Sequence, residues 1–196
     1  MESSVTFSAL LLAGGQSRRM GRDKALLPMP DSNRLLWQRQ LAVLEDLRPR
    51  EVLWSGPARP GLPDDVRVVP DHFSEVGPLA GLHAGLEKAT SDLLVVLAVD
   101  LPRMTADFLG LLLKASSRTC GAVAEQDGFF EPLGAVYPKT LLPLIARQIE
   151  RKCYAFQEMI SLAIGEGMLE PVTLFPSQTE LFTNWNFIED LSPPSS

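Results

Sequence analysis

Cysteine and histidine are scarce in this chain, with two of each in 196 residues. Cys120 and Cys153 lie far apart and without metal-ligand spacing, so neither a disulfide framework nor a cysteine zinc site is expected. Each reads as a small buried hydrophobe. His72 and His83 have no Ser, Cys or metal-ligand pattern beside them, and both read as structural. No apolar run approaches the ~18–20 residues of a membrane span; the run over 93–99 stops at Asp100. No basic residue precedes the first apolar run in MESSVTFSALLLAGG, so a secretory leader is not expected and the address reads as cytoplasmic, with no membrane partner. Excess positive charge is missing as well. At a net charge of −6, a nucleic-acid partner is not the expectation. Repeats and long linkers are also absent. The length therefore reads as one domain over 1–191, followed by a frayed tail at 192–196.

What is present is a core and an alternation. Hydrophobic residues make up 45% and charged residues 21%, enough apolar surface for one sizeable core. Short apolar runs at 5–12, 51–54, Val66–Val69 and 92–99 read as strands, the first and last buried on both faces. Helical periodicity at 35–47, 79–89, 105–114, 141–150 and 154–164 separates or follows them, with Thr105 a suitable N-cap. Residues 121–124 and 133–137 read as two more strands across a polar bend containing Asp127-Gly128. Residues 172–174 form a short apolar piece, and 184–191 a turn into a brief helix. The pattern predicts an α/β fold: a single-domain, Rossmann-like, mostly parallel twisted sheet flanked by helices.

Ligands of such sheets sit beyond the carboxyl ends of the strands, and three candidate segments fall there. The first is 11–24, LLAGGQSRRMGRDK, directly after the first strand. Gly14 and Gly15 permit a sharp turn or a close ligand, and Arg18, Arg19, Arg22 and Lys24 concentrate positive charge beside backbone N–H groups. That combination suits a polyphosphate; a glycine-bearing strand-to-helix turn with a solvated basic edge has the same composition. It is neither a Walker loop, since Ala25 follows Lys24, nor a G-x-G-x-x-G fingerprint. The second is Asp100, after the most apolar strand, either a hard-oxygen ligand for a divalent cation or a turn residue before Leu101-Pro102. The third is Asp71 after Pro70, which by itself has the chemistry of a turn residue.

The stretch Leu12, Ala13, Gly14, Gly15, Ser17, Arg19, Met20, Gly21, Asp23 and Lys24 resembles the L-A-G-G-x-S-x-R-M-G-x-D-K signature of the MobA-like nucleotidyltransferases. Gly77-Pro78-Leu79-Ala80-Gly81 resembles that family's G-P-L-A-G, and Asn184-Trp185-Asn186 its N-x-N segment; without the resemblance, Asn186 reads as a helix N-cap. The likeness runs from Leu11 to Leu191, with the motif blocks in the expected order. It implies transfer of GMP from GTP to molybdopterin-bound molybdenum cofactor. By the same resemblance, Arg19, Lys24 and Asp100 are the catalytic residues. Nucleotide binding is assigned to Leu12, Ala13, Gly14, Gly15, Lys24, Ser55, Asp71, Gly81 and Asp100, with Leu12, Ala13 and Gly14 offering backbone groups to the purine edge. Asp100 would hold Mg²⁺, with Mn²⁺ as the substitute, and Asn184 and Asn186 lie on the acceptor side.

GTP and molybdenum-molybdopterin are the implied substrates. A molybdenum-insertion enzyme and apo-molybdoenzymes are the implied protein partners. Two features depart from the family pattern. Ser55 stands where guanylyltransferases often carry Asn, and 150–160 matches the pterin region loosely, so Arg151 and Lys152 are either acceptor contacts or a solvated helix end. Gly14 favours guanine, because relatives using CTP usually read L-A-A-G. The alternatives are a nucleotidyltransferase with another nucleotide or acceptor, such as a cytidylyltransferase or a sugar-phosphate enzyme, and a non-catalytic nucleotide-binding adaptor.

Overall fold

The computed structural model describes residues 6–14, 24–29, 34–70, 73 and 76–184. Within these, seven strands form one sheet in the order β3-β2-β1-β4-β6-β5-β7. The strands are β1 (Phe7–Leu12), β2 (Val52–Ser55), β3 (Val66–Val69), β4 (Leu93–Ala98), β5 (Gly121–Gln126), β6 (Phe129–Pro138) and β7 (Leu169–Thr173). Helices α1 (Leu36–Asp46) and α3 (Ala106–Ala115) pack on one face. Helices α2 (Pro78–Lys88), α4 (Leu142–Glu150) and α5 (Phe156–Gly165) pack on the other. The mostly parallel sheet with helices on both faces is as expected.

The order reverses between β1 and β4. From β1 the chain moves outward through β2 to β3, then returns by α2 to the other side of β1, where β4 pairs in parallel from Phe7↔Leu93 to Leu12↔Ala98. Every residue of β4 is buried, which is why its sequence shows no alternation: both faces meet helices. Thr105 caps α3 by accepting from the Phe108 N–H at 3.3 Å, as its sequence position predicts.

The far half of the sheet departs from the parallel pattern. β6 runs antiparallel to β4 and β5, and β7 runs parallel to β5. The two hairpin strands are longer than the apolar runs at 121–124 and 133–137. Asp127 and Gly128 both have positive φ, 52° and 82°, the requirement of a tight two-residue hairpin turn. The ladder therefore runs up to the turn through exposed and half-buried residues outside those apolar runs. The short apolar piece at 172–174 closes β7, which ends at Thr173 and is an edge strand in which Pro171 is tolerated. A 3₁₀ segment, Pro176–Phe182, follows β7 where no helical period is present. It is held by Phe182, edge-on to Phe108 at 5.4 Å and 85°. Beyond Asn184, the brief helix expected at 184–191 and the tail at 192–196 lie outside the described residues.

The amino ends of the parallel strands are tied by one carboxylate. Glu51, just before β2, accepts from the Ser8 hydroxyl (2.8 Å) and from the Thr90 N–H and hydroxyl (both 2.7 Å); Arg67 lies 3.2 Å from its second oxygen. Burial works to raise its pKa, but the bonds from Thr90 and Ser8 and the charge of Arg67 outweigh it, and the net shift is downward. A carboxyl with a depressed folded pKa contributes stability above its unfolded value, about 4.3, and loses it as pH falls through the folded value. Glu51→Gln should therefore cost about 1–2 kcal/mol at pH 7, the scale of a charge-assisted hydrogen bond. In urea melts at pH 7 and pH 3, the gap between variant and wild type should narrow at the lower pH; a pH-independent gap would count against the charge.

Candidate functional site

Four strand exits share one rim. The register Leu12↔Ser55, Ser55↔Val69 and Leu12↔Ala98 aligns the residues after β1, β2, β3 and β4. Neighbouring strands lie about 4.8 Å apart. Gly14 and Asp100, each two residues beyond the paired Leu12 and Ala98, thus leave the sheet side by side at the topological switch point. Asp71 follows β3 by two residues and lies outside the described residues, as do Gly15, Ser17, Arg18, Arg19, Met20, Gly21, Arg22, Asp23, His72, Trp185 and Asn186. The backbone of Lys24 opens a 3₁₀ turn, Lys24–Leu26, seated on the core through Ala25, which is buried.

The residues at the exit of β1 are packed from behind. Leu12 and Ala13 are buried and Gly14 is exposed. The Leu12 carbonyl accepts from Val99 N–H at 3.0 Å, and the Ala13 N–H donates to the Ser55 carbonyl at 2.8 Å. Both groups belong to the sheet. The ladder then stops, because the next donor in register for the Ala13 carbonyl would be Pro57, which has no N–H.

Glycine makes this rim possible at a position the sequence did not single out. A Cβ on Gly56 would lie 2.7 Å from the Gly14 nitrogen and 2.8 Å from the Ala13 carbonyl carbon, and Gly56 itself has φ +141°. The β2 exit therefore lies flat against the first residues of the loop. Trp54, fully buried and edge-on to Trp37 at 5.7 Å, holds that exit by donating its indole N–H to the Pro57 carbonyl at 3.0 Å. Gly81 works the same way in the first turn of α2. A Cβ there would be 2.7 Å from both Leu12 Cδ2 and Ser55 Oγ, so Ser55 is buried under α2 against Leu12. The sequence-predicted trio Leu12, Ser55 and Gly81 is brought together, as a close-packed floor.

Asp100 is half-buried at the end of β4. Among the described residues no group of three His, Cys, Asp or Glu side chains gathers. This donor set does not fit a closed structural zinc site. One hard carboxylate oxygen at a rim fits a divalent cation that takes its remaining ligands from phosphates and water. His83 meets Phe73 edge-on at 5.2 Å, in keeping with a structural role, and Cys120 and Cys153 are unlinked and half-buried.

The other half of the rim is antiparallel. The 3₁₀ segment carries Phe182 to Gly134, where a Cβ would lie 3.1 Å from the Phe182 ring, and pairs Glu180 with Arg103. This returns Asn184, exposed, to the side of the sheet where Asp100 lies. Gln157 of α5 bonds both the N–H and the carbonyl of Phe130 (3.0 and 2.7 Å), so the α4–α5 turn with exposed Arg151 and Lys152 is also at the rim end. Glu131 of β6, three residues before Gly134, is half-buried there, and burial lifts its carboxyl above the ordinary range. An isolated Glu in a hairpin strand carries no sequence signal, and Glu131 was not foreseen.

Residues 9–161 match the MobA-like NTP transferase domain. The chain is 36% identical over 196 residues to a "Probable molybdenum cofactor guanylyltransferase" of Opitutus terrae, covering 95% of each chain. It is 30% identical over 187 residues to the "Molybdenum cofactor guanylyltransferase" of Syntrophotalea carbinolica, covering 93% of this chain and 88% of the relative. The crystal structure of molybdopterin-guanine dinucleotide biosynthesis protein A from Archaeoglobus fulgidus superposes with a TM-score of 0.70 at 22% identity, covering 94% of each chain. This likeness is one of fold. The signature within residues 12–24 and the match over 9–161 place the chain, with its switch-point rim, in the MobA-like NTP transferase family.

Proposed function

We propose that this protein is a nucleotidyltransferase that moves GMP from GTP to the molybdenum-molybdopterin cofactor, forming the guanine dinucleotide cofactor and pyrophosphate. The observation that carries the reading is the juxtaposition of the Leu12-Ala13-Gly14 exit of β1 with Asp100 at the exit of β4, in a chain whose relatives are named for this reaction. A phosphate oxygen of the acceptor attacks the α-phosphorus of GTP, the new P–O bond forms, and the bond to the β-phosphate breaks to release pyrophosphate. The attacking phosphate is ionised near neutral pH, so the reaction asks for placement and charge stabilisation rather than a general base. In this reading Arg19 and Lys24 neutralise the triphosphate and the departing pyrophosphate. Asp100 holds Mg²⁺, or Mn²⁺ in its place, and the ion supplies Lewis-acid polarisation of phosphate oxygens. The Ala13 carbonyl, Gly14, Gly15 and Asp71 contact the nucleotide over the floor of Leu12, Ser55 and Gly81. Asn184 and Asn186 orient the acceptor. Among the described residues no helix is long and apolar enough to cross a membrane, and we place the reaction in the cytoplasm. Delivery of the product to a molybdenum-insertion enzyme or to apo-molybdoenzymes completes the reading.

Pyrophosphate release measured with each of the four ribonucleoside triphosphates, Mg²⁺ and fresh cofactor should require GTP and the cofactor together. A preference for CTP would make the protein a cytidylyltransferase. Binding of GTP without release under any condition would point to another acceptor or to a non-catalytic adaptor. Asp100→Ala should lower Mg²⁺-dependent turnover about 10²- to 10³-fold, since metal polarisation supplies several kcal/mol and each 1.4 kcal/mol is about tenfold; unchanged turnover would remove Asp100 from the chemistry. The methyl of Gly14→Ala would meet the Gly56 Cα at 3.3 Å and the Ser55 carbonyl at 3.5 Å, so it presses on the β2 exit. The expected result is a loss in kcat/KM of about tenfold for GTP and a smaller loss for CTP; equal losses would sink this account of base choice.

A further inference from the structure

Gln40 lies in the middle of the buried face of α1, among Leu36, Trp37, Leu41 and Leu44, and is itself fully buried. A buried amide needs partners, and those of Gln40 converge on one place. Its Nε2 donates to the carbonyls of Ala98 (3.3 Å) and Leu101 (2.6 Å). Its Oε1 accepts from the guanidinium of Arg39 at 2.5 Å, and Arg39 donates in turn to the Met104 carbonyl at 3.0 Å. The two carbonyls held by Gln40 flank Val99-Asp100. Three carbonyls of the segment 98–104 are thus tied to a single turn of one helix.

At the end of a strand the backbone loses its ladder partners, and water or side chains must replace them. Here a side chain from the core supplies the replacement, joined on the Leu101 carbonyl by the Met104 N–H at 3.1 Å, which leaves the turn little freedom. A carboxylate that shares a cation with a substrate needs such support, because a ligand that drifts loses the ion. We propose that Gln40, backed by Arg39, is a positioning residue for Asp100, holding the carbonyls on either side of it and so fixing where the divalent cation binds. The inference rests on the metal role proposed above for Asp100. A polar residue inside the apolar stripe of α1 is the sequence feature that marks it.

The test separates cation affinity from stability. The affinity for a fluorescent GTP analogue is measured with Mn²⁺ and with EDTA, and the ratio of the two isolates the contribution of the cation. Gln40→Leu should lower that ratio about tenfold, the scale of lost outer-sphere support in metal sites, with the affinity in EDTA unchanged. Arg39→Met, at a half-buried position, should move it in the same direction and carries the test alone if Gln40→Leu does not fold. Glu51→Gln, which destabilises the opposite end of the sheet, should leave the ratio at the wild-type value. Wild-type ratios in Gln40→Leu and Arg39→Met, beside a collapsed ratio in Asp100→Asn, would overturn the positioning role and leave the metal reading standing. An unchanged ratio in Asp100→Asn would overturn the metal reading and this inference with it.

Discussion

The parallel pairing of β1 with β4 is the constraint on which the rest of the structure depends. Both strands are buried, so their register is held by packing on two faces at once, and a slip of one residue would turn every side chain toward the wrong helix layer. That register aligns Leu12 with Ala98, and everything at the rim follows from it. The glycine exit of one strand and the carboxylate exit of the other emerge next to each other because the strand order reverses between them. The topology supplies that adjacency through the strand register alone.

Adjacency alone would leave the strand exits unsupported, and the structure packs them by different physical means. On the β2 side the means is absence of bulk: Gly56 lets one backbone lie on another, and Gly81 lets the start of α2 settle onto Leu12 and Ser55. On the β4 side it is saturation of hydrogen bonds: Gln40 and Arg39 take the carbonyls that the end of the ladder leaves over. The first device tolerates almost no side chain. The second requires a particular one. At the other pole of the sheet, Glu51 ties β1, β2 and the approach to β4 with a charge instead, away from the place where a triphosphate would compete for cations.

The antiparallel half has a separate role. Reversing β6 brings the start of a strand, rather than its end, to the rim, so the surface beside Asp100 is built from a hairpin, the α4–α5 turn and the 3₁₀ segment that returns Asn184. Parallel exits are loops that can wrap one ligand. A hairpin edge and helix ends offer a separate surface for a second. This division matches a reaction that brings two substrates to one phosphorus atom.

Amino-acid order alone determined the elements with strong periodicity or continuous apolar character: β1, β3, β4 and the five helices, Thr105 as a cap, and the signature that names the family. These are local properties, written in residues that must be apolar or must be glycine wherever the chain goes. Tertiary structure decided what depends on contacts between distant segments. The hairpin strands extend beyond their apolar runs through Glu125, Gln126 and residues 129–132 because a turn with two positive φ values sets their pairing. Pro176–Phe182 takes its shape from Phe182 docking on Phe108. The Leu12 carbonyl and the Ala13 amide, which a motif leaves open to a ligand, are taken by the sheet. Gly56 and Gln40 matter through the backbone they touch, and no spacing along the chain records a neighbour that arrives only on folding.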